Sequence, residues 1–334
     1  MSRLQEVRNR MQPILEKTLS DYLLNCEATG SRGCSAMTRY HFETGGKRLR
    51  GVIPSAVFEC FKRDPKEILY FGAAVEMIHN ATLVHDDLQD GDELRRGRPT
   101  VWKKYSVPQA INCGDAMFQY ANELICKLSL DSSVILQLLK RSTQATIRVI
   151  EGQAQEFIMK DELEPSVARY TEIIRGKTSG LFALPVAGAL EALAVAPSIV
   201  DAFEKAAMDM GMLFQIQDDL LDIYGQKGRD RVGTDIAEGK VSMLVAAVYD
   251  SGDAKAKREL SAILKKSRQD TSDTDISNVI ALFESHGAKS KALATIRDLQ
   301  TQIKDQAELR RLPEVHELML ELCDTFLEPL NGAF

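Results

Sequence analysis

The amino-acid sequence predicts an all-α protein that forms one large helical domain. Apolar residues recur at i, i+4 spacing over long segments, whereas period-2 alternation bounded by hairpin dipeptides is not found. No low-complexity linker and no repeat of solenoid length divides the 334 residues. Because 44% of the chain is hydrophobic, it can bury a large core. One domain over residues 1–334 fits this pattern better than two.

The helical segments can be placed from the spacing of their apolar residues. Residues 68–88 show i, i+4 spacing with one i+3 step. Similar patterns predict helices over 135–157, 170–193, 200–224 and the shorter 241–248. The last part, 254–330, alternates charged and apolar residues and predicts three or four amphipathic helices. Loops are predicted where glycine, proline and polar residues gather, at 30–33, 91–100 and 225–233, and a polar loop or helix start is predicted at 267–277.

Charge and cysteine content exclude several classes of protein. The net charge of −6 offers no basic field for nucleic acid or an anionic membrane. Residues 1–15 lack the apolar core of a signal peptide, and no stretch reaches the roughly 18 apolar residues that span a bilayer. The six cysteines show no CxxC spacing, which argues against a zinc site or a disulfide framework. We expect a cytoplasmic protein with no nucleic-acid partner and no transmembrane segment.

Two Asp-Asp-x-x-Asp clusters carry the strongest chemical signal. The first aspartate cluster is Asp86, Asp87 and Asp90, and the second aspartate cluster is Asp218, Asp219 and Asp222. On a helix, the outer two aspartates of each cluster lie on one face, because they are four residues apart. Like charges at that spacing, near a helix C-terminus, destabilise a bare helix by roughly a few tenths of a kcal/mol. A bound cation resolves this conflict in both clusters.

The ligand type indicates which cation. Carboxylate oxygens suit Mg²⁺, which is usually held by one or two carboxylates together with substrate phosphate oxygens. Two such clusters therefore indicate several Mg²⁺ ions around one diphosphate, where they neutralise charge on a leaving group. A solvated acidic face is the competing interpretation, and it accounts for one cluster better than for two of the same form.

Basic segments supply the fixed cations that a diphosphate site also needs. GGKRLR at 45–50 combines two glycines, which allow close backbone approach, with Lys47 and Arg50 on one predicted helical face. LRRGR at 94–98 directly follows the first aspartate cluster. Lys177, Thr178 and Lys240 are weaker candidates, since lysines near loops are common.

Six motifs, in this order, resemble those of the trans-isoprenyl (polyprenyl) diphosphate synthases. They are GGKRLR at 45–50, EMIHNATLVHDDLQDGDELRRGRPT at 76–100, GDAMF at 114–118, GKTSGLF at 176–182, GMLFQIQDDLLD at 211–222 and GTDIAEGK at 233–240. The resemblance implies an all-α bundle around a deep central cavity, of the isoprenoid synthase type, usually a homodimer. It also implies that the two aspartate clusters face each other across the cavity mouth and bind about three Mg²⁺ ions per active site.

The resemblance also implies a role for individual residues. Asp86, Asp90 and Asp218 match the main metal ligands, and Asp87 and Asp222 match supporting ones, while Asp219 completes the second motif. Residues that match the clamp for isopentenyl diphosphate are Gly46, Lys47, Arg50, His79 and Arg96. Residues that match contacts to the allylic diphosphate are Arg95, Lys177 and Lys240, with Thr178 and Gln215 nearby. Without the motif match, His79 reads equally well as a core histidine.

The implied reaction joins isopentenyl diphosphate to an allylic diphosphate by ionisation, condensation and elimination. It needs no protein nucleophile, in keeping with the lack of a convincing Ser-His-Asp or Cys-His constellation. The chain departs from the family pattern before Gly233, where Asp230 stands at the usual lysine position and Arg231 is the basic residue, and again at Ser242 and Leu244. The lid contact through Arg231 is therefore in doubt.

The residues before Asp86 predict the product length. Family members with short products carry a bulky aromatic residue four or five positions before this aspartate, where the chain has Thr82 and Ala81. The missing floor predicts a product of geranylgeranyl length or longer, unless a deeper floor is formed by Met77, Ile78 or Phe157.

Three other functions share some of these features. A terpene cyclase has a mixed Asn/Ser/Glu second metal motif, unlike the second aspartate cluster. A non-catalytic partner subunit of a heteromeric synthase tends to have degraded aspartate motifs, whereas these are complete. A helical scaffold with acidic faces leaves the paired acidic and basic motifs without a cause.

Overall fold

The computed structural model describes residues 2–26, 33–162, 164–225 and 232–332. They form an all-α structure, as predicted. The α-helices, labelled α1 to α16, are Arg3–Asn25, Cys34–Phe42, Leu49–Cys60, Leu69–Gln89, Val101–Lys104, Val107–Cys126, Ser132–Glu162, Val167–Ile174, Gly180–Ala192, Pro197–Tyr224, Thr234–Ala237, Met243–Asp250, Ala254–Leu264, Asp273–Ser285, Ala288–Asp305 and Pro313–Leu327. Short 3₁₀ helices at Ala307–Arg311 and Glu328–Gly332 flank α16.

The predicted helices correspond to α4, α7, α10 and α12, and the last part of the chain contains four, α13 to α16. The structure differs from the predicted elements in two places. The predicted helix over 170–193 is interrupted by a π-helix at Arg175–Ser179, although its apolar pattern continues. The predicted loop at 91–100 contains the described residues' one strand pair, β1 (Leu94–Arg95) and β2 (Arg98–Pro99), which are antiparallel.

The chain divides into two compact units. The first unit comprises Met1–Thr146 and Leu184–Glu204. In it, α3 and α4 cross where Gly51 meets Gly72, and a Cβ atom on Gly72 would overlap the Gly51 carbonyl oxygen. This close approach brings the start of α3 against the first turn of α4, and both helices carry predicted site residues.

The second unit comprises Ile147–Ala183 and Lys205–Phe334. Its core includes three mutually packed rings, Phe182, Phe214 and Phe326, whose centroids lie 5.1–5.2 Å apart. These rings join α9, α10 and α16, so the C-terminal helix is part of the core around the second aspartate cluster's helix. The expectation of a single domain stays a prediction, as does the deep central cavity.

Across the described ranges, every helix is too short or too polar to cross a bilayer.

Candidate active site

The first aspartate cluster lies at the C-terminal end of α4, as predicted. Asp90 is the C-cap of the helix, and its N–H donates to the Asp86 carbonyl oxygen over 2.8 Å. The side chains of Asp86 and Asp90 are half-buried, whereas Asp87 is only 1% exposed. Consecutive residues on a helix point about 100° apart, which explains why the middle aspartate faces inwards while its neighbours do not.

Asp87 accepts a bidentate hydrogen bond from Arg95 on β1. The Arg95 Nε donates to both Asp87 oxygens at 2.9 Å, and its Nη2 donates to Oδ1 at 2.6 Å. Burial raises the pKa of the Asp87 carboxyl, and the Arg95 guanidinium opposes that rise. Two residues that the sequence assigned to metal and to diphosphate are thus paired with each other.

A tight turn at Arg96 and Gly97 shapes the hairpin that carries Arg95. Both residues have positive φ, 51° at Arg96 and 78° at Gly97, as a two-residue type I′ hairpin turn requires. The Arg96 guanidinium donates to the Gly45 carbonyl oxygen and so joins the hairpin to the loop before α3. At the root of the hairpin, Thr100 Oγ1 and Trp102 Nε1 each donate to the Asp92 carbonyl oxygen over 2.8 Å.

The GGKRLR segment leads into α3, and only its last two residues, Leu49 and Arg50, belong to the helix. Arg48 is the N-cap residue in a left-handed conformation (φ 49°), and the helix starts at Leu49. The prediction that Lys47 and Arg50 share a helical face is therefore wrong, because the left-handed turn separates them; Lys47 is exposed before the helix. Gly46 (φ 142°) is needed here, since a Cβ would lie 2.9 Å from an Arg96 nitrogen and 3.1 Å from an Arg48 nitrogen.

Arg48 was not predicted as a site residue, yet it anchors this loop. Its side chain is buried, donates to the Phe42 carbonyl oxygen over 2.6 Å and lies 4.8 Å from the centre of the Phe42 ring. Arg48 and Arg95 both lower the pKa of Arg96, although burial is the larger cause. Cations brought this close favour a bound anion, because an anion removes their mutual repulsion.

Arg50 and His79 are brought together, as the resemblance implied. Arg50 Nη1 donates to His79 Nε2 over 3.3 Å, so His79 carries its proton on Nδ1 when neutral. Burial keeps the pKa of His79 well below its usual value, and Arg50 adds to this effect. Burial also lowers the pKa of Arg50 to about 10, while the charge of Glu76 opposes the change. The imidazole is thus a neutral acceptor that orients the guanidinium.

A buried network of hydrogen-bonded polar side chains contacts the start of α3. Glu76 Oε1 accepts the Gly51 N–H at 3.0 Å, and Glu76 Oε2 accepts from Asn80 Nδ2 at 3.1 Å. The Asn80 side-chain oxygen Oδ1 in turn lies 3.1 Å from His41 Nε2. Burial lowers the pKa of His41 to about 3. The sequence contained a signal for Glu76, the one acid inside the apolar run of α4 before Asp86, and none for His41.

The second aspartate cluster matches the first at its first two positions and differs at the third. Asp218 is half-buried, whereas Asp219 and Asp222 are each 4% exposed. Asp219 accepts hydrogen bonds from Gln215 Nε2 at 3.0 Å, from the Tyr170 hydroxyl at 2.8 Å and from the Met243 N–H at 2.7 Å. Burial raises the pKa of Asp219 to about 6, and these three donors oppose the rise. Nothing in the sequence singled out Tyr170.

Two residues predicted near the allylic diphosphate, Thr178 and Gln215, are linked to Asp219 in the second unit. Thr178 Oγ1 donates a hydrogen bond to Gln215 Oε1 over 3.0 Å, and the Gln215 amide nitrogen donates to Asp219. Lys177 forms an ion pair with Glu156 on α7. Both Lys177 and Thr178 belong to the π-helix, a rare distortion that is frequent at functional sites. The sequence gave no signal for Glu156, because an acid on a helix is ordinary.

Lys240 is half-buried and pairs with Glu238 at 2.7 Å. Arg231 and Asp230, the predicted departures from the family pattern, lie outside the described residues. The expectation that the two aspartate clusters face each other stays a prediction.

The comparisons with known proteins identify the family. The sequence pattern of the family described as polyprenyl synthetase matches residues 31–282. The chain belongs to this family. A short chain isoprenyl diphosphate synthase from Methanothermobacter thermautotrophicus is 31% identical to this polyprenyl synthetase over 291 residues, which cover 85% of this chain and 86% of the relative. The (2E,6E)-farnesyl diphosphate synthase from Mycobacterium bovis is 33% identical over 276 residues, which cover 80% and 75%.

Solved structures of similar fold support the same assignment. The crystal structure of geranylgeranyl pyrophosphate synthetase from Pyrococcus horikoshii Ot3 superposes with a TM-score of 0.82 and 26% identity, and covers 96% of this chain and 99% of that one. The fold of this polyprenyl synthetase is therefore the all-α isoprenoid synthase type that the sequence predicted.

The carboxylates of this polyprenyl synthetase fit Mg²⁺ by donor type. Asp86, Asp90 and Asp218 present half-buried carboxylates, whose hard oxygens suit this ion. Among the residues that the structure describes, no group of three or more His, Cys, Asp or Glu side chains is arranged to hold a metal. Mg²⁺ sites commonly use one or two carboxylates and complete the shell with substrate phosphate and water, so sparse protein ligation is what this ion requires.

The predicted chain-length residues of this polyprenyl synthetase fall into two sets. Ala81, Met77 and Ile78 on α4 are buried, and Thr82 is half-buried with its hydroxyl donating to the His79 carbonyl oxygen over 2.7 Å. Phe157 lies on the second unit's part of α7 and is half-buried.

Proposed function

We propose that this polyprenyl synthetase is a trans-prenyltransferase that condenses isopentenyl diphosphate with an allylic diphosphate, dimethylallyl, geranyl or farnesyl, to give a longer all-trans prenyl diphosphate and free diphosphate. The observation that carries the proposal is the convergence of Arg48 and Arg96 on Gly46, just before α3, which packs against α4, the helix that bears the first aspartate cluster. Cations held this close, beside carboxylates suited to Mg²⁺, match the needs of a metal-bound diphosphate reaction.

The residue roles proposed here follow the family resemblance. Lys47, Arg50, His79 and Arg96, with the Gly46 backbone, are proposed to bind the isopentenyl diphosphate. Arg95, Lys177 and Lys240 are proposed to contact the allylic diphosphate, supported by Thr178 and Gln215. The metal ligands are proposed to be Asp86, Asp90 and Asp218. When bound, Mg²⁺ neutralises charge on the departing diphosphate.

The neutral state of His79 has a chemical consequence. Because its Nε2 accepts from Arg50, the imidazole orients the guanidinium without adding charge to it. The clamp then holds isopentenyl diphosphate while the allylic C–O bond breaks and its electron pair leaves with the diphosphate. The double bond of isopentenyl diphosphate forms the new C–C bond, and the proton that is lost passes to the released diphosphate.

The product is proposed to be of geranylgeranyl length or longer. Ala81 on α4 is small and buried, at a position where family members with short products carry a bulky aromatic side chain that closes the tunnel. The relatives include a farnesyl diphosphate synthase and a geranylgeranyl pyrophosphate synthetase, so family membership does not set the product length. The proposal on product length therefore depends on the side chain at Ala81.

A homodimer is proposed on the exposed apolar side chains of α7. Ile147, Ile150 and Ile158 are 54%, 53% and 42% exposed on the part of this helix that belongs to the second unit. A row of exposed isoleucines on one long helix is typical of a protein–protein interface. A cytoplasmic location is also proposed, since none of the six cysteines, all in described residues, forms a disulfide.

The proposed activity can be tested with labelled isopentenyl diphosphate, Mg²⁺ and each allylic primer, with products separated by chain length. Asp86→Ala serves as the inactive control. Products of geranylgeranyl length or longer support both the reaction and the open position at Ala81. Farnesyl diphosphate as the sole product keeps the reaction and overturns the length proposal, and no product with any primer favours a non-catalytic partner subunit.

A further inference from the structure

The segment 233–243 carries Lys240, and its N-terminal end is fixed by Asp222. The Asp222 Oδ2 accepts the Asp235 N–H at 3.1 Å, and its Oδ1 accepts from the Thr234 hydroxyl. The Asp222 carbonyl oxygen also accepts the Gly233 N–H at 3.0 Å. The carboxylate therefore caps the short helix α11, and each of its two oxygens has a donor within the segment.

The C-terminal end of the same segment is fixed by Asp219. Its Oδ2 accepts the Met243 N–H, the first helical N–H of α12, and the Tyr170 hydroxyl. Its Oδ1 accepts from Gln215. Asp219 and Asp222 are three residues apart on α10, so one face of that helix holds both ends of the segment.

Lys240 lies between these two anchors. Its backbone N–H donates to the Asp235 carbonyl oxygen over 2.9 Å, which ties it to the residue that Asp222 caps. Its side chain leaves this backbone only three residues before Met243, the residue that Asp219 caps. The backbone from which Lys240 projects is thus held on both sides by buried carboxylates, while its ammonium pairs with Glu238.

We infer that Asp219 and Asp222 are positioning residues for Lys240, and that Asp218 is the member of the second aspartate cluster that binds metal. This assignment rests on the proposed function and refines it, because the sequence counted Asp222 as a metal ligand. The first aspartate cluster offers a parallel: there the buried Asp87 holds Arg95, while Asp86 and Asp90 are half-buried.

Thr234→Val separates the two roles of Asp222. The hydroxyl of Thr234 donates to Asp222 and its replacement leaves every carboxylate in place. If Asp222 is a positioning residue, Asp222→Asn and Thr234→Val raise the KM for the allylic diphosphate together and leave the Mg²⁺ concentration for half-maximal rate within about 3-fold of the parent. Asp218→Asn is expected to raise that concentration by about 10-fold or more. If Asp222→Asn instead behaves like Asp218→Asn and Thr234→Val behaves like the parent, the inference is overturned.

A double-mutant cycle with Lys240→Met tests the connection to Lys240. Asp222→Ala alone is expected to lower kcat/KM by about 10- to 100-fold, because a displacement of about 1 Å has that effect. In the Lys240→Met background the same change is expected to cost less than about 3-fold, since the group being positioned is absent. Full additivity of the two losses contradicts the inference.

Amide hydrogen exchange provides a readout that needs no activity. In the substrate-free protein, Asp222→Ala is expected to speed exchange at Asp235, and Tyr170→Phe to leave it unchanged. If exchange at Asp235 is faster in Asp222→Ala but the parent protein has no activity, the anchoring is supported and only the proposed function is contradicted. Unchanged exchange in an active, folded variant sinks the anchoring and leaves the function standing.

Discussion

At the residue scale, helix geometry gives the members of each aspartate cluster different surroundings. Neighbouring aspartates point about 100° apart, so Asp87 and Asp219 turn inwards to buried donors, while Asp86 and Asp218 remain half-buried. The sequence allowed the i, i+4 pairs to be predicted, because that spacing alone fixes a shared face. Among the donors to these carboxylates, Arg95 and Gln215 are close in sequence, whereas Tyr170 and Met243 are 49 and 24 residues from Asp219 and no local pattern predicts them.

Asn substitutions at Asp86 and Asp87 are expected to have different effects, the first on activity and the second on stability. Asp86→Asn should lower kcat by about 100-fold or more and leave the free energy of unfolding nearly unchanged, because it removes a proposed metal ligand. Asp87→Asn should lower the free energy of unfolding by about 3 kcal/mol, since Arg95 loses its buried partner. Steady-state rates and urea titrations of both variants check this. Equal stability losses would contradict the separation of roles.

His41 should make the protein less stable in acid. Its pKa is about 3 in the folded state against an unperturbed 6.5, so below pH 6.5 the unfolded chain binds the extra proton. Stability is then lost as pH falls from 6.5 towards 3, by about 1.4 kcal/mol per pH unit for this group. Asp219 acts in the opposite sense, because its pKa is raised to about 6.

The contribution of His41 is therefore measured by difference. Urea unfolding of His41→Gln and of the parent, from pH 7 to pH 5, should show a shallower loss of stability in the variant. His286→Gln is the matched control: its pKa is raised, mainly by the Leu282 carbonyl oxygen, so its contribution is present below pH 6.5 and is lost as pH rises. Parallel pH profiles for parent and His41→Gln would overturn the assignment of a neutral buried imidazole.

At the element scale, the helices follow from apolar spacing, but the π-helix at Arg175–Ser179 does not. The extra residue in its turn leaves the apolar pattern of 170–193 intact, so no periodicity argument detects it. It packs against α7 at Gly152, where a Cβ atom would overlap the Lys177 backbone nitrogen. The hairpin at 94–99 was likewise read as a loop, because its strands are two residues long.

Gly152→Ala should displace the π-helix and with it Lys177. We expect the rate with the allylic substrate to fall by about 10-fold or more, because the added Cβ atom would displace the Lys177 backbone and misplace its side chain. Gly176→Ala is the matched control on the facing element, where the nearest atom lies 3.1 Å from the added Cβ and a smaller shift suffices. Steady-state kinetics of both variants decide it, and equal losses would argue against a special role for the Gly152 contact.

At the scale of the whole molecule, fold class and family were both predictable. Long periodic helices and six ordered motifs leave little freedom of architecture, and the superposition on a solved synthetase agrees. The division into two units was not predicted, because it falls inside continuous helices where composition does not change. The division depends on contacts between residues far apart in sequence, and the spacing of apolar residues along the chain does not predict those contacts.

The exposed isoleucines on α7 predict the oligomeric state. The double variant Ile147→Lys with Ile158→Lys should convert a dimer into a monomer in sedimentation velocity, because it places charges in an apolar interface. Leu24→Lys, at a 49% exposed leucine on α1, is the matched control and should leave the dimer intact. A parent protein that sediments as a monomer would rule out the proposed homodimer.

The hydrogen bond between Trp102 and the Asp92 carbonyl oxygen has an optical consequence. Trp102 is the chain's single tryptophan, and its indole is half-buried at the root of the hairpin that carries Arg95 and Arg96. Ultraviolet excitation near the red edge therefore selects one emitter, which sits beside the first aspartate cluster. Its emission wavelength and quenching report on that hairpin alone, without an attached dye and without interference from the rest of the protein.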